Sequence, residues 1–189
     1  MKVTVIGAGN MGSAFVKQLI RAGHQVSVTA RDSDKAATVA AANAGAKAVP
    51  AARAADGADA IVLACFGDPG LDAAREATSA PVIGIAEAAF HLASLVATGF
   101  SVVTTLTRTC VIAEHLVVQY GFERRCRGIH GTAIAVLELE DPASNAYARI
   151  LECAQQALVQ RLQSTRDQAR SDFDGALKAA QANTSTTLM

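Results

Sequence analysis

Two short segments of this 189-residue chain hold residue types that can do chemistry. Gly7-Ala8-Gly9-Asn10-Met11-Gly12 matches the pattern GxGxxG and follows an apolar run, Lys2–Ile6. In that context the first glycine permits a tight turn and the second lets a pyrophosphate approach the backbone, while the third lets a helix pack on a strand. The other segment, Asp59 to Cys65, is an apolar run that ends in a thiol, and a thiol is a nucleophile or a base once it is deprotonated. The chain therefore carries one candidate ligand-binding loop and one candidate reactive residue.

The end of the second predicted strand, Gln25–Ala30, indicates which dinucleotide the loop would take. NAD sites carry an acidic residue there for the ribose 2′-hydroxyl, whereas this chain has Ala30 followed by Arg31. Arg31 can pair with a 2′-phosphate and Thr29 or Ser33 can donate a hydrogen bond to it, so NADP(H) is favoured over NAD(H). The predicted cofactor-binding residues lie in the loop and after this strand: Gly7, Gly9, Asn10, Met11, Gly12, Thr29, Arg31 and Ser33. The alternatives are a glycine turn that binds nothing and a surface arginine that is merely solvated.

The first 43 residues resemble the N-terminal half of deazaflavin-dependent NADP oxidoreductases and, more broadly, pyrroline-carboxylate-reductase-like domains. The resemblance rests on the run from Val5 to Gly12 and on Thr29-Ala30-Arg31-Asp32. It implies a Rossmann-like domain that binds NADP(H). The substrate-binding C-terminal region of those families has no counterpart in the rest of this sequence.

From Ala58 to about Leu158 the chain resembles the Asp/Glu/hydantoin racemase family, and hydantoin racemases most of all. The segments that carry the resemblance are Ala64–Leu71, Pro81–Ala88, Ser101–Leu106 and Leu137–Pro142. In that family a cysteine thiolate removes the Cα proton and a thiol on the opposite face returns one. The resemblance implies that Cys65 is the first of these catalytic cysteines. The substrate-binding residues that it implies follow two strands: Phe66, Gly67, Asp68, Thr104 and Thr105.

The second cysteine of that family lies on a strand beyond the helix that is predicted to end near Leu158. The sequence shows no such strand, and none of Cys110, Cys126 and Cys153 matches its motif. We therefore expect a racemase-family isomerase whose activity is impaired. Three alternatives stay open: a Cys65 that is only a buried core residue, an NADP(H)-dependent oxidoreductase, and a recombined chain that binds ligand without turnover.

The elements that must position these residues alternate between short strands and helices. This alternation indicates an α/β fold with a doubly wound parallel sheet, Rossmann-like in its first half and flavodoxin-like in its second. The predicted strands are Lys2–Ile6, Gln25–Ala30, Ala46–Val49, Asp59–Cys65, Pro81–Ile85, Phe100–Leu106 and Ala133–Leu139. The predicted helices are Ser13–Ala22, Lys35–Asn43 (capped by Asp32 or Ser33), Leu71–Ala77, Ala86–Ala97, Val111–Tyr120, Asp141 towards Leu158, and Gln160–Gln181.

The strand after the first crossover back lies beside the first strand in a doubly wound sheet. Asp59–Cys65 should therefore bring its thiol next to the glycine loop. We expect three parts: an NADP-binding domain over 1–98 that shares this strand, an incomplete racemase-like lobe over 99–158, and a polar helical tail over 159–189 that frays after Asn183. Two different resemblances that meet in one strand are typical of a chimeric chain.

Composition excludes several classes of function. Hydrophobic residues make up 51% and charged residues 18%, which is typical of a globular chain. The 17 basic and 17 acidic residues cancel, so no basic surplus favours nucleic acid. No apolar run approaches the roughly 20 residues that span a bilayer, so no membrane partner is expected.

The remaining cysteine, histidine and acidic residues suggest no metal and no disulfide. The four cysteines form no CxxC pair, which favours reduced thiols and a cytoplasmic location. The histidines have no metal-ligand spacing, so no metal is predicted. Glu87 and His91 lie one helical turn apart, where a satisfied surface pair is favoured over an acid/base pair. The expected partner is a small-molecule substrate, and self-association into a homo-oligomer remains open.

Overall fold

A computed structural model describes residues 1–139, 141 and 143–187 of the chain. It divides into two units. The first comprises Met1–Thr98 together with His115–Glu123, and the second comprises Gly99–Glu114 together with the chain from Arg124 onward. Each unit is described below by itself.

The first unit is built on a five-stranded, fully parallel sheet. Its strands are β1 (Lys2–Ile6), β2 (Gln25–Thr29), β3 (Ala46–Ala48), β4 (Ala60–Leu63) and β5 (Val82–Gly84). The strand order is β3-β2-β1-β4-β5, so the chain winds outward from β1 in one direction and then returns to wind in the other. The predicted α/β fold with a parallel sheet is confirmed.

Helices connect these strands as the sequence predicts. They are α1 (Asn10–Arg21), α2 (Ser33–Ala42), α3 (Leu71–Glu76) and α4 (Ile85–Val96). Gly23, with φ at +82°, follows the end of α1. Asp32, not Ser33, caps α2, because its carboxylate accepts hydrogen bonds from the N–H groups of Asp34 and Lys35. The predicted helix boundaries are therefore correct to within a few residues.

The core of the first unit lies on both faces of the sheet. One cluster contains Val5 and Val28 from the strands, Ala64 just after β4, Val16 of α1 and Val39 of α2. A second cluster, formed by Ile61, Leu63, Leu71 and Val82, lies under α3. Each fully buried valine or leucine side chain contributes about 1.5–3 kcal/mol relative to an exposed one. All four residues of β4 are buried, as expected for an interior strand that lies between β1 and β5.

The second unit contains a two-stranded parallel sheet of β6 (Phe100–Thr104) and β7 (Cys126–Gly131). The sequence does not indicate β7 and instead predicts a strand over Ala133–Leu139, and this prediction is wrong. Ala133 has φ at +54°, which ends the extended conformation, and Val136–Leu139 forms a 3₁₀ turn. Because β7 is rich in polar residues and glycine, it lacks the apolar run that indicates a buried strand.

The last two helices also differ from expectation. Helix α5 (Cys110–Gln119) begins and ends within a residue of its predicted bounds. Helix α6 runs without a break from Ala146 to Thr187, where two helices and a frayed end were predicted. The predicted start of α6 at Asp141-Pro142 is too early, while Glu140 and Pro142 themselves lie outside the described residues. No helix in the described part of the chain is both long and apolar enough to cross a membrane.

Candidate active site

The glycine loop and Cys65 follow two neighbouring strands of the first unit. β4 pairs directly with β1, with Ile6 opposite Leu63. The prediction that the strand ending at Cys65 lies beside the first strand is therefore confirmed. The N–H of Ala64 donates to the carbonyl of Ile6 at 2.9 Å, and an added β-carbon on Gly7 would meet the Ala64 carbonyl oxygen at 3.3 Å. Ligands of open parallel sheets bind at this carboxyl edge.

The structure requires glycine at two of the three glycine positions of the loop. Gly7 has φ at +120°, a conformation that L side chains rarely adopt. A β-carbon on Gly12 would lie 1.8 Å from the Gly7 carbonyl oxygen, so no side chain fits there. Gly9 has φ at −85° and no atom within 4 Å of an added β-carbon, so neither its backbone nor its neighbours require glycine. The space above Gly9 is open.

Polar groups near the loop include one without a partner. The hydroxyl of Thr29 is buried and has no hydrogen-bond partner among the described residues, although the Thr29 carbonyl accepts from Gly7 N–H at 2.8 Å. Arg31 and Ser33 line an open groove of about 700 Å³ beyond the end of β2. Asp34 lines the same groove, so the local charge there is mixed. No side chain caps α1 at Gly9.

Cys65 lies in a tight turn after β4. Its side chain is exposed, which excludes the alternative of a buried core cysteine. The N–H of Asp68 donates to the Cys65 carbonyl at 3.1 Å and closes the turn, within which Gly67 has φ at +134°. Phe66 is 42% exposed, and its ring packs edge-on against Phe90 with centroids 6.0 Å apart. The turn thus presents a thiol and an aromatic ring to solvent.

Asp68 is buried, and its carboxylate is occupied within the protein. Oδ1 accepts from the N–H of Ala86 at 3.1 Å, while Oδ2 accepts from the N–H of Glu87 at 2.9 Å and from the Tyr120 hydroxyl at 2.9 Å. Both oxygens of this carboxylate are therefore engaged within the protein, and its binding of substrate stays a prediction. Burial, together with the hydrogen bond to Asp68, raises the pKa of Tyr120 above its ordinary value.

Glu87 and His91 do not form a pair. Glu87 forms an ion pair with Arg75, and this hydrogen bond raises the pKa of the guanidinium. Arg75 also donates to the carbonyl of Val82. The His91 ring packs edge-on against Phe122, with centroids 4.9 Å apart. The predicted surface pair is replaced by these two separate contacts.

Thr104 and Thr105 belong to the second unit. Thr104 is the last residue of β6, and its hydroxyl lies 3.2 Å from the hydroxyl of Thr109. The carbonyls of Thr104 and Thr105 both accept from the Thr132 hydroxyl. The polar groups of this strand end are thus used partly within their own unit. Among the residues described, no group of three or more His, Cys, Asp or Glu side chains is arranged to hold a metal ion.

Tyr120, Arg75 and Gly84 are the residues near the turn that the sequence did not single out. Tyr120 meets Asp68 across 52 residues of chain, and no local pattern signals such a contact. A β-carbon on Gly84 would lie 2.5 Å from the Asp68 carboxylate. A small residue just before a helix, opposite a buried carboxylate, has no signature in a single sequence.

The fold and the site define an α/β protein with an exposed thiol at the carboxyl edge of a parallel sheet. The sequence profile of the Asp/Glu/hydantoin racemase family matches residues 13–164, and the chain belongs to this family. The match begins upstream of the range expected from the sequence. It includes Thr29, Arg31, Ser33 and Cys65 but leaves the glycine loop outside.

Individual relatives agree with the family match. The chain is 43% identical over 72 residues to a hydantoin racemase of Rhizobium meliloti, an alignment that covers 38% of this chain and 30% of that protein. An allantoin racemase from Klebsiella pneumoniae is 38% identical with a TM-score of 0.66, over 84% of this chain and 69% of that one. The allantoin racemase from Pseudomonas fluorescens is 26% identical with a TM-score of 0.62, over 84% and 72%. The matched part of the chain thus spans less than a third of that hydantoin racemase.

Proposed function

We propose that this chain is a racemase-family isomerase in which Cys65 exchanges the Cα proton of a small hydantoin-like or amino-acid substrate. The observation that carries the proposal is the exposed thiol of Cys65, at the end of a central strand and in a turn with a left-handed glycine. Proton abstraction needs a base that is accessible to the substrate and is held in a fixed position by the protein backbone. The family membership of the chain supports the same chemistry.

In the proposed reaction the Cys65 thiolate takes the proton from a carbon next to a carbonyl group. The S–H bond forms as the C–H bond breaks, and the electron pair moves into an enolate whose oxygen carries the charge. Backbone N–H groups stabilise such an oxygen. The N–H of Asp68 is already used by the Cys65 carbonyl, so the proposed donors are the N–H groups of Phe66 and Gly67. Return of the proton to the same face gives exchange, and delivery of a proton from an opposed acid gives inversion.

Because only Cys65 matches a catalytic cysteine of the family, we expect exchange to be faster than inversion. The chain should be incubated in D₂O with 5-substituted hydantoins, allantoin and free amino acids, while NMR follows loss of the Cα proton and polarimetry follows inversion. Cys65→Ser should lower the exchange rate by about 10²-fold or more, the usual contribution of a positioned base. Cys153→Ser is the matched control, since Cys153 lies on α6 in the second unit. Equal exchange by wild type and Cys65→Ser would refute the proposal, as would no exchange with any of these substrates.

A second candidate function is NADP(H) binding by the glycine loop. Two observations favour it: the buried Thr29 hydroxyl without a partner among the described residues, and the open space above Gly9. The backbone of the loop would hold the pyrophosphate, and Arg31 with Ser33 would hold the 2′-phosphate. Bound NADPH would supply a hydride, so an oxidoreductase is the alternative to the isomerase.

Direct titration tests this second candidate without reliance on turnover. NADPH and NADH fluorescence should be followed as protein is added, and calorimetry should give the affinities. We expect NADPH to bind at least about tenfold more tightly than NADH, because the Arg31 pair with the 2′-phosphate is charge-assisted. Arg31→Glu should remove that preference and Gly9→Val should weaken both ligands, while Arg21→Glu at the far end of α1 should change neither. Failure of both nucleotides to bind at millimolar concentration would reject the candidate. Tight binding without turnover in either assay would support the binding-only alternative.

A further inference from the structure

We propose that Asp68 and Tyr120 are positioning residues that hold the Cys65 turn against the start of α4. This inference rests on the proposed role of Cys65. In this proposal Tyr120, although it is far along the chain, helps to hold the Cys65 thiol in position. Asp68 holds the turn in place and is not a substrate ligand.

The first argument is the way in which the Asp68 carboxylate is held. It accepts three hydrogen bonds, from Ala86 N–H, Glu87 N–H and the Tyr120 hydroxyl, at 3.1, 2.9 and 2.9 Å. Asp68 is only 5% exposed, so these bonds replace water almost completely. Hydrogen bonds to a charged acceptor are stronger than neutral ones. The carboxylate therefore has one well-defined place.

The second argument is the close connection between Asp68 and Cys65. Asp68 has φ at +43°, a left-handed conformation that aspartate tolerates better than most residues. In this conformation its N–H donates to the Cys65 carbonyl and its own carbonyl accepts from Leu71 N–H. A shift of Asp68 would therefore also shift Cys65, because one short turn joins the two residues.

The third argument is that α4 has no cap of its own. Gly84 precedes the helix and offers no side chain, and a β-carbon there would strike the Asp68 carboxylate. Asp68 takes the place of the missing cap from 16 residues earlier in the chain. A negative charge at a helix N-terminus is favourable. The neighbouring acidic residue, Glu87, is already paired with Arg75.

The aromatic side chains around the turn pack on one shared buried ring. Phe90 of α4 is 2% exposed and contacts three rings edge-on. The centroid distances are 6.0 Å to Phe66, 6.3 Å to Tyr120 and 5.8 Å to Phe122. Phe66, next to Cys65, and Tyr120, bonded to Asp68, therefore pack on the same buried ring. Edge-to-face contacts of this kind are favourable and directional.

The test compares Tyr120→Phe and Asp68→Asn with Tyr147→Phe in the full chain. Tyr147 is the other tyrosine of the chain and is 79% exposed. We expect Tyr120→Phe to lower kcat for Cα proton exchange about tenfold with KM within about twofold, since small misplacements of a catalytic group reduce the chemical step. Amide hydrogen exchange of the peptide that contains Cys65–Gly70 should become faster in Tyr120→Phe and stay unchanged in Tyr147→Phe. Asp68→Asn should keep more activity than Asp68→Ala, because asparagine tolerates the left-handed conformation and keeps one acceptor oxygen.

The outcomes separate this inference from the function on which it rests. If Cys65→Ser keeps full exchange, the proposed function fails, and the amide exchange of the turn still decides whether Asp68 and Tyr120 hold it. If Cys65→Ser abolishes exchange while Tyr120→Phe and Asp68→Asn leave kcat and amide protection unchanged, the inference alone is overturned. It is also overturned if the variants lower only the melting temperature and each folded molecule keeps its wild-type kcat.

Discussion

The glycine loop after β1 and the Cys65 turn after β4 lie side by side, yet they are held in opposite ways. Both contain a glycine in the left-handed region, Gly7 at φ +120° and Gly67 at +134°. The loop is held by backbone packing, since Gly12 rests directly against the Gly7 carbonyl and no side chain caps the helix. The turn is held by a buried carboxylate with three hydrogen bonds.

The two regions also differ in whether their buried polar groups have hydrogen-bond partners. A buried polar group without a partner costs free energy of about 1–3 kcal/mol, and the Thr29 hydroxyl beside the loop is such a group among the described residues. A ligand that donates to it or accepts from it would recover part of that cost. The Asp68 carboxylate already has its partners. Among the described residues, hydrogen bonding is therefore complete at Asp68 in the turn and incomplete at Thr29 beside the loop.

The largest expected effect is on stability, when a side chain is introduced at the close contact between Gly12 and Gly7. Gly12→Ala would place a β-carbon 1.8 Å from the Gly7 carbonyl oxygen, so the backbone must move. We expect the free energy of unfolding to fall by about 3 kcal/mol, at the upper end for overpacked sites. Urea denaturation measures this change in the free energy of unfolding. Gly9→Ala is the matched control, and because its β-carbon meets nothing within 4 Å it should cost no more than about 1 kcal/mol, the usual penalty for alanine at an N-cap. Equal losses at Gly9 and Gly12 would show that the loop is not held by this contact.

A smaller effect is expected where the turn is anchored. Gly84→Ala would place a β-carbon 2.5 Å from the Asp68 carboxylate and push it away from the start of α4. We expect a loss of about 2 kcal/mol, since the carboxylate can shift where a backbone carbonyl cannot. Gly175→Ala is the control: it lies in α6 with nothing within 4 Å, and alanine there should add up to about 1 kcal/mol by helix propensity. Unchanged stability in Gly84→Ala would contradict the close packing of the anchor.

The smallest effect appears only at alkaline pH. The pKa of Tyr120 is raised in the folded state, so the folded chain keeps a proton that the unfolded chain loses above pH of about 10. The stability contributed by this tyrosine is therefore complete below that pH and is lost as pH rises further. The free energy of unfolding of the wild type should fall more steeply above pH 10 than that of Tyr120→Phe. Tyr147→Phe should keep the wild-type slope because it leaves Tyr120 in place, and identical slopes for wild type and Tyr120→Phe would refute the assignment.

The sequence predicts the elements that are defined by local patterns. Lys2–Ile6 and the glycine pattern after it, the Asp32 cap and the apolar run that ends at Cys65 are all signalled within a few residues. The pairing of β4 with β1 follows from the handedness and connection rules of parallel sheets. These local patterns place the glycine loop and Cys65 at one edge of one sheet, whereas the predicted Thr104 and Thr105 belong to the second unit.

The features that the sequence does not predict depend on distant partners. β7 contains Arg127 and His130 and is identified as a strand only by its pairing with β6. The racemase resemblance implies a substrate contact for Asp68, and it gives no sign of the hydrogen-bond partners that lie 18, 19 and 52 residues further on. A buried carboxylate looks like a catalytic one until its hydrogen bonds are known.

Helix α4 is capped by Asp68, a residue that is distant in sequence, and this has a consequence for the order of folding. A 12-residue helix is marginal in water by itself, and this one lacks a local residue that would stop its first turn from unravelling. We therefore expect this helix to form after β4 and β5 have paired and the segment after β4 has closed. A peptide that contains only Ile85–Val96 should show little helical circular dichroism, and mutations in this helix should speed unfolding more than they slow folding.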